Sequence, residues 1–298
     1  MPRLEPDVIQ NRDRGVQAVE TAYAKVNLAL HVRGRRPDGY HALESLFAFA
    51  QDGDRLEGGL ADDGSITLRV DGPFGAQVGD GEDNLVLKAA TALRGHLGTR
   101  AGAALRLTKN LPVASGIGGG SADAAAALRL LVRLWDVRIE PAPLEKLALE
   151  IGSDVPACLA STTRLVRGRG ELLADHDLPG LTGRPLLLVN PGVALSTGRV
   201  FAGWDGMDRG ALAADTVRQL RADGRNDLEA AAIGQAPAIA DVLSRLARCE
   251  GRVLSRMSGS GATCFALFDA QADMRAAART LRADHPLWWI METRIRTA

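Results

Sequence analysis

The sequence predicts a protein of two domains with mixed α and β structure. The chain has 298 residues, and one domain usually takes about 150. Apolar and polar residues alternate over residues 22–32, 66–70 and 103–107, which is typical of strands. Apolar residues recur every three or four positions over residues 84–97 and 122–135, which is typical of buried helices. The first half of the chain is therefore expected to mix strands and helices.

The second half continues this mixture. Residues 185–189 form a short apolar run that predicts a strand, and helical spacing recurs over residues 211–221, 239–248 and 272–283. A further helix is predicted over residues 143–151, and the glycine that follows it is expected to close the helix at positive φ.

Composition and charge exclude several functional classes. Hydrophobic residues make up 46% of the chain and charged residues 24%, as in soluble globular proteins, while aromatic residues make up only 4%. The core is therefore expected to consist mainly of Ala, Leu and Val. With 36 basic and 36 acidic residues the formal net charge is zero, so no global field favours DNA, RNA or an anionic membrane. Any anionic ligand must be bound locally.

Cysteine spacing and the N-terminal segment favour a cytoplasmic protein. Cys158, Cys249 and Cys264 are far apart and match neither a zinc nor a redox motif, which suits a reducing compartment. Residues 1–18 are polar and lack the apolar centre of a secretion signal, so we expect a loosely attached extension. No apolar stretch reaches the roughly 18 residues that span a bilayer.

The strongest candidate for an anion site is the run Leu-Pro-Val-Ala-Ser-Gly-Ile-Gly-Gly-Gly-Ser at residues 111–121. Glycines let backbone N–H groups approach an anion, and the helix that follows points its unpaired donors at the same place. A Walker loop is excluded because no lysine lies between Lys109 and Lys146. A dinucleotide fingerprint is disfavoured because Asp136 follows a helix with no strand between. A glycine-rich connector is the other interpretation, but four small residues at a helix start, with Ser121 as a cap, favour phosphate.

Lys25 and Asn27 lie two residues apart on the first predicted strand, so their side chains project from the same face. A solvated strand face is the alternative interpretation. The small neighbours Ala24 and Val26 instead favour a covered site in which both side chains meet one ligand.

Asp154 and the group of Tyr40, His41 and Phe201 each allow two interpretations, and a second glycine turn allows one. Asp154, in Gly-Ser-Asp-Val-Pro, suits either the N-cap of the next helix or a general base that takes the proton of a hydroxyl attacking phosphorus. The glycine turn at residues 257–264 by itself indicates close backbone packing. Tyr40, His41 and Phe201 suit either the core or a surface on which a base stacks.

Together, these segments resemble the GHMP kinase superfamily. The resemblance rests on a lysine in an early strand, the glycine loop followed by a helix, and a late Gly-Ser-Gly-Ala turn, and it extends from about residue 21 to the C-terminus. It implies a two-domain α+β fold with the active site between the domains. The N-terminal domain, residues 19–165, would be ribosomal protein S5 domain 2-like, and the C-terminal domain, residues 166–298, would be ferredoxin-like.

Further motifs resemble one branch of the superfamily. They are Ala-Tyr-Ala-Lys-Val-Asn-Leu at residues 22–28, Arg-Pro-Asp-Gly-Tyr-His at residues 36–41, Asp-Asn-Leu at residues 83–85 and Gly-Ser-Asp-Val-Pro at residues 152–156. The resemblance implies transfer of the γ-phosphoryl group of ATP to the 2-hydroxyl of a cytidine diphosphate-linked methylerythritol, a step of the non-mevalonate route to isoprenoids.

The resemblance also implies roles for individual residues. Asp154 would be the catalytic base, and Lys25 would orient it and favour deprotonation of the hydroxyl. Asn27 would face the acceptor sugar. The adenosine side would be lined by Asn84 and Lys109, and the cytidine, sandwiched between two rings, by Tyr40, His41 and Phe201. The positions that match the ATP phosphate loop are Pro112, Val113, Ala114, Ser115, Gly116, Ile117, Gly118, Gly119, Gly120, Ser121 and Ala122.

The remaining expectations concern the metal ion, the binding partners and two alternative functions. Mg²⁺ is expected with ATP, and because no acidic cluster identifies a protein ligand, phosphates and water would hold it. The loop departs from many relatives at residues 114–115, where they have glycines, and at residues 122–123, where they have a Ser-Asn pair. The partner would be a small-molecule substrate, and the chain a monomer or weak homodimer. The alternatives are a GHMP kinase with a mevalonate-type or homoserine-like acceptor, and a nucleotide-binding regulator without catalysis.

Overall fold

A long hairpin is the centre of the first sheet in the computed structural model, which describes residues 16–297. Strands β1 (Ala18–Arg35) and β2 (His41–Ala61) pair antiparallel along almost their whole length. On its other edge, β2 pairs with β4 (Gly102–Thr108) at one end and with β5 (Arg164–Gly168) at the other. The sheet is completed by β3 (Ile66–Asp71), parallel to β4, and by β6 (Leu172–Asp175), antiparallel to β5.

Helices rich in alanine and leucine cover this sheet. They are α1 (Leu85–Leu97), α2 (Gly119–Leu134), α3 (Pro141–Ile151) and α4 (Val155–Ala160). In α2, the side chains of residues 124–127 are all alanine and fully buried. Because alanine is small, the helix packs close to the sheet, and the Leu130 side chain lies directly over Gly58 of β2. The expected core of Ala, Leu and Val is confirmed here.

The second sheet has the predicted ferredoxin-like arrangement. Its strands are β7 (Pro185–Asn190), β8 (Arg252–Met257), β9 (Cys264–Phe268) and β10 (Trp289–Arg294), in the antiparallel order β10-β7-β9-β8. Helices α8 (Ala238–Ala247) and α9 (Gln271–Asp284) pack against it, which makes the order of elements β-α-β-β-α-β. Three short helices precede α8: α5 (Thr197–Ala202), α6 (Val217–Asp223) and α7 (Glu229–Gln235).

The two sheets share a buried cluster of apolar residues. Val26 and Leu28 of β1 pack in a buried cluster with Leu186 of β7 and Phe265 of β9. The predicted division between residues 165 and 166 falls within β5, and the chain passes from the first sheet to the second between Asp175 and Pro185. The domain limits 19–165 and 166–298 stay a prediction.

Several local predictions differ from the structure. Gly152 follows α3 with φ 177°, which is extended backbone, so the predicted positive φ is wrong. The helix predicted over residues 211–221 begins only at Val217. In contrast, the expectation that Lys25 and Asn27 occupy a covered rather than a solvated strand face is confirmed, because Lys25, Asn27 and His31 are at most 5% exposed. Of the predicted extension 1–18, residues 1–15 lie outside the described part.

Within residues 16–297, no helix has the length and apolar character needed to cross a membrane.

Candidate active site

Lys25 and Asp154 meet in space although they are 129 residues apart in sequence. Lys25 Nζ donates a hydrogen bond to Asp154 Oδ2 at 2.9 Å and lies 4.3 Å from the centroid of the Phe47 ring. Asp154 occupies the N-cap position of α4, but its side chain makes no capping hydrogen bond. Asp154 is therefore the N-cap residue by position, as one interpretation predicted, while its carboxylate is left to pair with Lys25. Its side chain is 29% exposed, whereas that of Lys25 is 7% exposed, so the carboxylate is the member of the pair that a ligand can reach.

The glycine loop ends at the N-terminus of α2. Gly118 is the N-cap residue at φ 64° and provides no side-chain cap, so Ser121 lies in the first turn rather than at the cap. The first N–H groups of a helix have no partner within it, and here they follow directly on the loop. Ile117 O accepts a hydrogen bond from Lys25 N at 3.0 Å, which joins the loop to β1.

The late glycine turn holds the same loop from the other side. Ser258 Oγ accepts a hydrogen bond from Asn27 N at 3.0 Å and donates one to Gly116 O at 2.9 Å. Thr263 N donates to Ser115 O at 3.0 Å. A Cβ on Gly116 would lie 2.3 Å from Ser258 O, so only glycine fits at this contact. The predicted close backbone packing is confirmed, and its partner is the glycine loop.

Two cavities open on either side of the loop. The larger, of about 650 Å³, has residues 77–79, 81–85, 109, 112–114, 119, 120 and 123 in its wall. The smaller, of about 390 Å³, contains Lys25, Asn27, Asp154 and Phe201 in its wall. Leu85, Ala114, Gly119 and Gly120 line both cavities. The two cavities therefore meet at the N-terminus of α2.

The structure distributes the predicted loop residues between these cavities. Pro112 and Val113 line the larger cavity, and Ser115, Gly116, Gly118 and Ser121 line the smaller one. Ala114, Gly119 and Gly120 line both. The side chains of Ile117 and Ala122 lie instead in the apolar core.

Asn84 and Lys109 lie in the wall of the larger cavity, and each has a structural partner. Asn84 caps α1, accepting from Val86 N at 2.9 Å, and its Nδ2 donates to Gly79 O at 2.7 Å. Lys109 Nζ donates to Asp54 and, at 2.6 Å, to Asp123 Oδ2. The Lys109 ammonium is thus already paired with two carboxylates, and the contact of both residues with adenosine stays a prediction.

The cluster of Asp54, Lys109 and Asp123 was not predicted from the sequence. All three side chains are at most 5% exposed. Asp54 Oδ1 also accepts hydrogen bonds from the N–H groups of Asn110 and Leu111, at 2.6 and 2.8 Å. The cluster thus connects the start of the glycine loop with the first turns of α2. Within the described residues, Asp123 Oδ1 has no hydrogen-bond partner.

Burial governs the protonation of this cluster. Desolvation, with a smaller contribution from the Asp54 charge, raises the pKa of Asp123 to about 8. Burial lowers the pKa of Lys109, but the two carboxylates raise it by more, so the net direction is upward. The lysine is therefore charged at neutral pH, whereas Asp123 is held close to its neutral form.

Among the predicted aromatic residues, His41 contacts Phe201, which lines the smaller cavity. The His41 ring centroid is 5.2 Å from that of Phe201 and 5.6 Å from that of Trp204. Burial, followed by the charge of Arg35, lowers the pKa of His41 below its usual 6.5, and His41 Nε2 has no hydrogen-bond partner within the described residues. Tyr40 is 58% exposed. Of these three predicted residues, only Phe201 is in the cavity wall itself.

Asn27 lies in the wall of the smaller cavity. Its Nδ2 donates to Ser45 Oγ at 2.9 Å, while Oδ1 is buried without a hydrogen-bond partner among the described residues. The same wall contains residues that sequence patterns did not indicate, because each is isolated in sequence from the motifs: Ser45, Phe47, Arg169 and Thr197. It also contains Ser260, which belongs to the late glycine turn.

Family models match both parts of the chain. The model for the GHMP kinases N terminal domain matches residues 84–162, and the model for the GHMP kinases C terminal matches residues 211–286. With the fold described above, these matches define the class of protein as the GHMP kinases.

Similar curated proteins narrow the class. A 4-diphosphocytidyl-2-C-methyl-D-erythritol kinase of Rhizorhabdus wittichii is 52% identical over 93% of this chain and 94% of its own length. A protein of the same name from Sphingopyxis alaskensis is 49% identical over 93% of this chain and 98% of its own length. The chain belongs to the family of the 4-diphosphocytidyl-2-C-methyl-D-erythritol kinases.

Solved structures agree with this family. A crystal structure of 4-(cytidine 5'-diphospho)-2C-methyl-D-erythritol kinase is similar with a TM-score of 0.78 and 33% identity, covering 93% of this chain and 99% of that chain. A homoserine kinase from Cytophaga hutchinsonii is similar with a TM-score of 0.70 at 17% identity, covering 98% of both chains. At that identity the second likeness concerns the fold alone.

Proposed function

We propose that this chain transfers the γ-phosphoryl group of ATP to the 2-hydroxyl of 4-diphosphocytidyl-2-C-methyl-D-erythritol. The observation that carries the proposal is the position of the Lys25–Asp154 pair, in the wall of a cavity that meets a second cavity at the N-terminus of α2. The larger cavity suits the nucleotide and the smaller one the acceptor. The relatives at about half identity support the choice of acceptor.

The proposed transfer follows from the place of each group. The acceptor hydroxyl lies against Asp154, which accepts its proton as the oxygen forms a bond to the γ-phosphorus. The bond between that phosphorus and the oxygen bridging to the β-phosphate breaks, and ADP leaves. Lys25 Nζ, held against the Asp154 carboxylate, orients it and stabilises negative charge that develops on the attacking oxygen.

Phosphate binding is assigned to the backbone of the loop and of the first turn of α2. These N–H groups and the positive end of the helix dipole attract anions without a side chain. Bound Mg²⁺ would supply charge neutralisation on the phosphate oxygens. Within the described residues, no group of three His, Cys, Asp or Glu side chains is suited to hold a metal. The donor set therefore fits a Mg²⁺ ion that takes most of its ligands from the nucleotide and from water.

Acceptor recognition is assigned to the remaining polar and aromatic groups. Asn27 Oδ1, buried and without a partner among the described residues, accepts a hydrogen bond from a sugar hydroxyl. Phe201 and Tyr40 provide stacking surfaces for the cytosine, and the free Nε2 of His41 provides a polar contact.

Acceptor choice tests the proposal. The full chain is incubated with ATP and Mg²⁺ and, in separate reactions, with the cytidine diphosphate-linked methylerythritol, mevalonate or homoserine. We expect ADP release and a phosphorylated product with the first acceptor alone, and competition by CDP.

Each other outcome replaces the proposal with a named alternative. Turnover of mevalonate or homoserine without competition by CDP would assign a different acceptor. Binding of ATP without turnover of any of the three acceptors would favour the nucleotide-binding regulator.

A further inference from the structure

The smaller cavity, where the acceptor is proposed to bind, is called the acceptor cavity from here on. Its wall carries one more positive than negative side chain. Lys25, Asp154 and Arg169 are the charged residues of that wall. Lys25 and Asp154 pair with each other at 2.9 Å, so their charges offset locally. Arg169 is exposed, and among the described residues no carboxylate forms an ion pair with its guanidinium. One positive charge is therefore left for a ligand in this cavity.

The backbone holds Arg169 close to the catalytic pair. The residue lies in the turn between β5 and β6, where its N–H donates to Glu171 Oε2 at 2.5 Å. The next residue, Gly170, is buried at φ 125°, and a Cβ there would lie 3.7 Å from both Asp154 Oδ1 and Ser153 Cβ. The turn thus packs directly against the segment that carries Asp154.

The side chain of Arg169 reaches toward the predicted cytidine end. Its Cζ atom lies 5.0 Å from the centroid of the Tyr40 ring, a cation–π contact. Arg169 therefore spans the distance between Asp154, where the acceptor hydroxyl would react, and Tyr40, where the base would stack.

Nearby acids do not remove this charge. Asp38 and Glu171 lie within electrostatic range of Arg169. The Asp38 carboxylate already accepts from Arg36 at 3.1 Å and from the N–H of Tyr40 at 3.1 Å. Glu171 is engaged by the turn itself. The guanidinium keeps its donors for a ligand.

We propose that Arg169 binds the diphosphate of the acceptor, between the base that stacks near Tyr40 and the hydroxyl that meets Asp154. The inference rests on the proposed function, because that acceptor carries its negative charge between its two ends. A planar guanidinium suits phosphate oxygens, which it binds with two parallel N–H donors. Arg169 thereby distinguishes acceptors linked through a diphosphate from uncharged ones.

The test compares Arg169→Ala and Arg169→Lys with a control variant, Arg279→Ala. The control removes an exposed arginine of α9 that lines neither of the two cavities. Steady-state kinetics gives kcat and the KM of each substrate, and calorimetry gives the affinities of CDP and of cytidine. For Arg169→Ala we expect the KM of the acceptor to rise about tenfold, with kcat and the KM of ATP changed less than twofold. CDP should weaken by a similar factor, while cytidine changes less than twofold.

The variants separate binding from structure. Arg169→Lys keeps the charge without the planar group and should lie between the wild type and Arg169→Ala, and Arg279→Ala should match the wild type. Equal weakening of CDP and cytidine would overturn the inference, because Arg169 would then act only by supporting Tyr40. An unchanged KM for the acceptor in an otherwise active enzyme would also overturn the inference. The proposed function would survive either result. If the wild type neither binds CDP nor uses the acceptor, the proposed function fails and this inference fails with it.

Discussion

Asp154 precedes a helix, yet its carboxylate accepts a hydrogen bond from Lys25 and none from the amides of that helix. Lys25 Nζ is in turn confined between this carboxylate and the Phe47 ring. A pair held in this way keeps one position, so the carboxylate meets a hydroxyl without first reorganising. The proposed chemistry thus depends on two side chains whose relative position is fixed by the fold.

Asp154→Asn is expected to lower kcat by about 10²-fold or more, because an amide cannot take the proton from the hydroxyl. The KM values of ATP and of the acceptor should change much less. Steady-state kinetics on the purified variant provides the measurement, with Glu150→Gln, an exposed acid near the end of α3, as the control. A kcat equal to that of the wild type would remove Asp154 from the proton transfer.

Asp123→Asn is expected to change how stability depends on pH. Burial raises the pKa of Asp123 from 3.8 in a free residue to about 8. The folded state therefore binds this proton more tightly than the unfolded state, so its contribution is complete below about pH 4 and is lost as the pH rises toward 8. Relative to the wild type, Asp123→Asn should become progressively more stable as the pH rises over that interval.

Urea unfolding at several pH values checks this expectation, with the exposed Asp215→Asn as the control. The free energy of unfolding of the control should follow that of the wild type. Parallel pH profiles for Asp123→Asn and the wild type would show that Asp123 titrates normally in the folded protein.

At the scale of elements, the glycine loop is a segment joined at both ends. Asp54 and Lys109 hold its start, Asp123 holds the first turns of the helix after it, and Ser258 holds its centre. A loop constrained in this way presents its N–H groups in one arrangement, which is what a binding site for phosphate needs.

Gly118→Ala is expected to reduce kcat/KM by about tenfold or more while the fold persists. The position has φ 64°, which costs an L-residue roughly 1 kcal/mol, and the new Cβ would lie 3.1 Å from Lys25 Cε. Lys25 would then shift away from Asp154. Gly95→Ala in α1 is the matched control, since nothing lies within 4 Å of its Cβ, and it should raise stability by up to about 1 kcal/mol. Unchanged kinetics for Gly118→Ala would mean that the loop accommodates the methyl group.

At the scale of the whole molecule, β1 connects the two sheets. Its Val26 and Leu28 pack with strands β7 and β9, while Leu30 and Val32 lie in the core beneath α8 and α9. Because residues of β1 belong to the same clusters as residues of the second sheet, the packing of each sheet supports that of the other. The division of the chain at residues 165 and 166 and the monomeric or weakly dimeric state stay predictions.

Leu28→Ala is expected to destabilise both sheets together, by about 2–5 kcal/mol, because Leu28 is fully buried in the cluster they share. Hydrogen exchange of β4 and β9 amides measures this, and both strands should lose protection to the same extent. Leu172→Ala, at a side chain that is 60% exposed, should change stability by less than about 0.5 kcal/mol. Loss of protection in one sheet alone would indicate two independent folding units.

Local patterns predicted much of the architecture. The spacing of apolar residues located α1, α2 and α9 to within a few residues, because a helix that buries one face imposes a short period on its sequence. The short elements α5 to α7, β5 and β6 were missed or misplaced, since each has fewer than eight residues and depends on tertiary packing rather than on its own periodicity. The start of α4 was anticipated, because Asp154 was one candidate for its N-cap.

By itself, the sequence determined the glycine loop, the helix that follows it and the candidate residues Lys25 and Asp154, because these follow from patterns between near neighbours, whereas the ferredoxin-like order of the second sheet was expected only from the resemblance to the GHMP kinases. Only the tertiary structure decided which distant residues meet. It joined Lys25 to Asp154, buried Lys109 between Asp54 and Asp123, and placed Arg169 in the wall of the acceptor cavity. These contacts link segments with no common period, so the packing of the two sheets against each other was needed to define them.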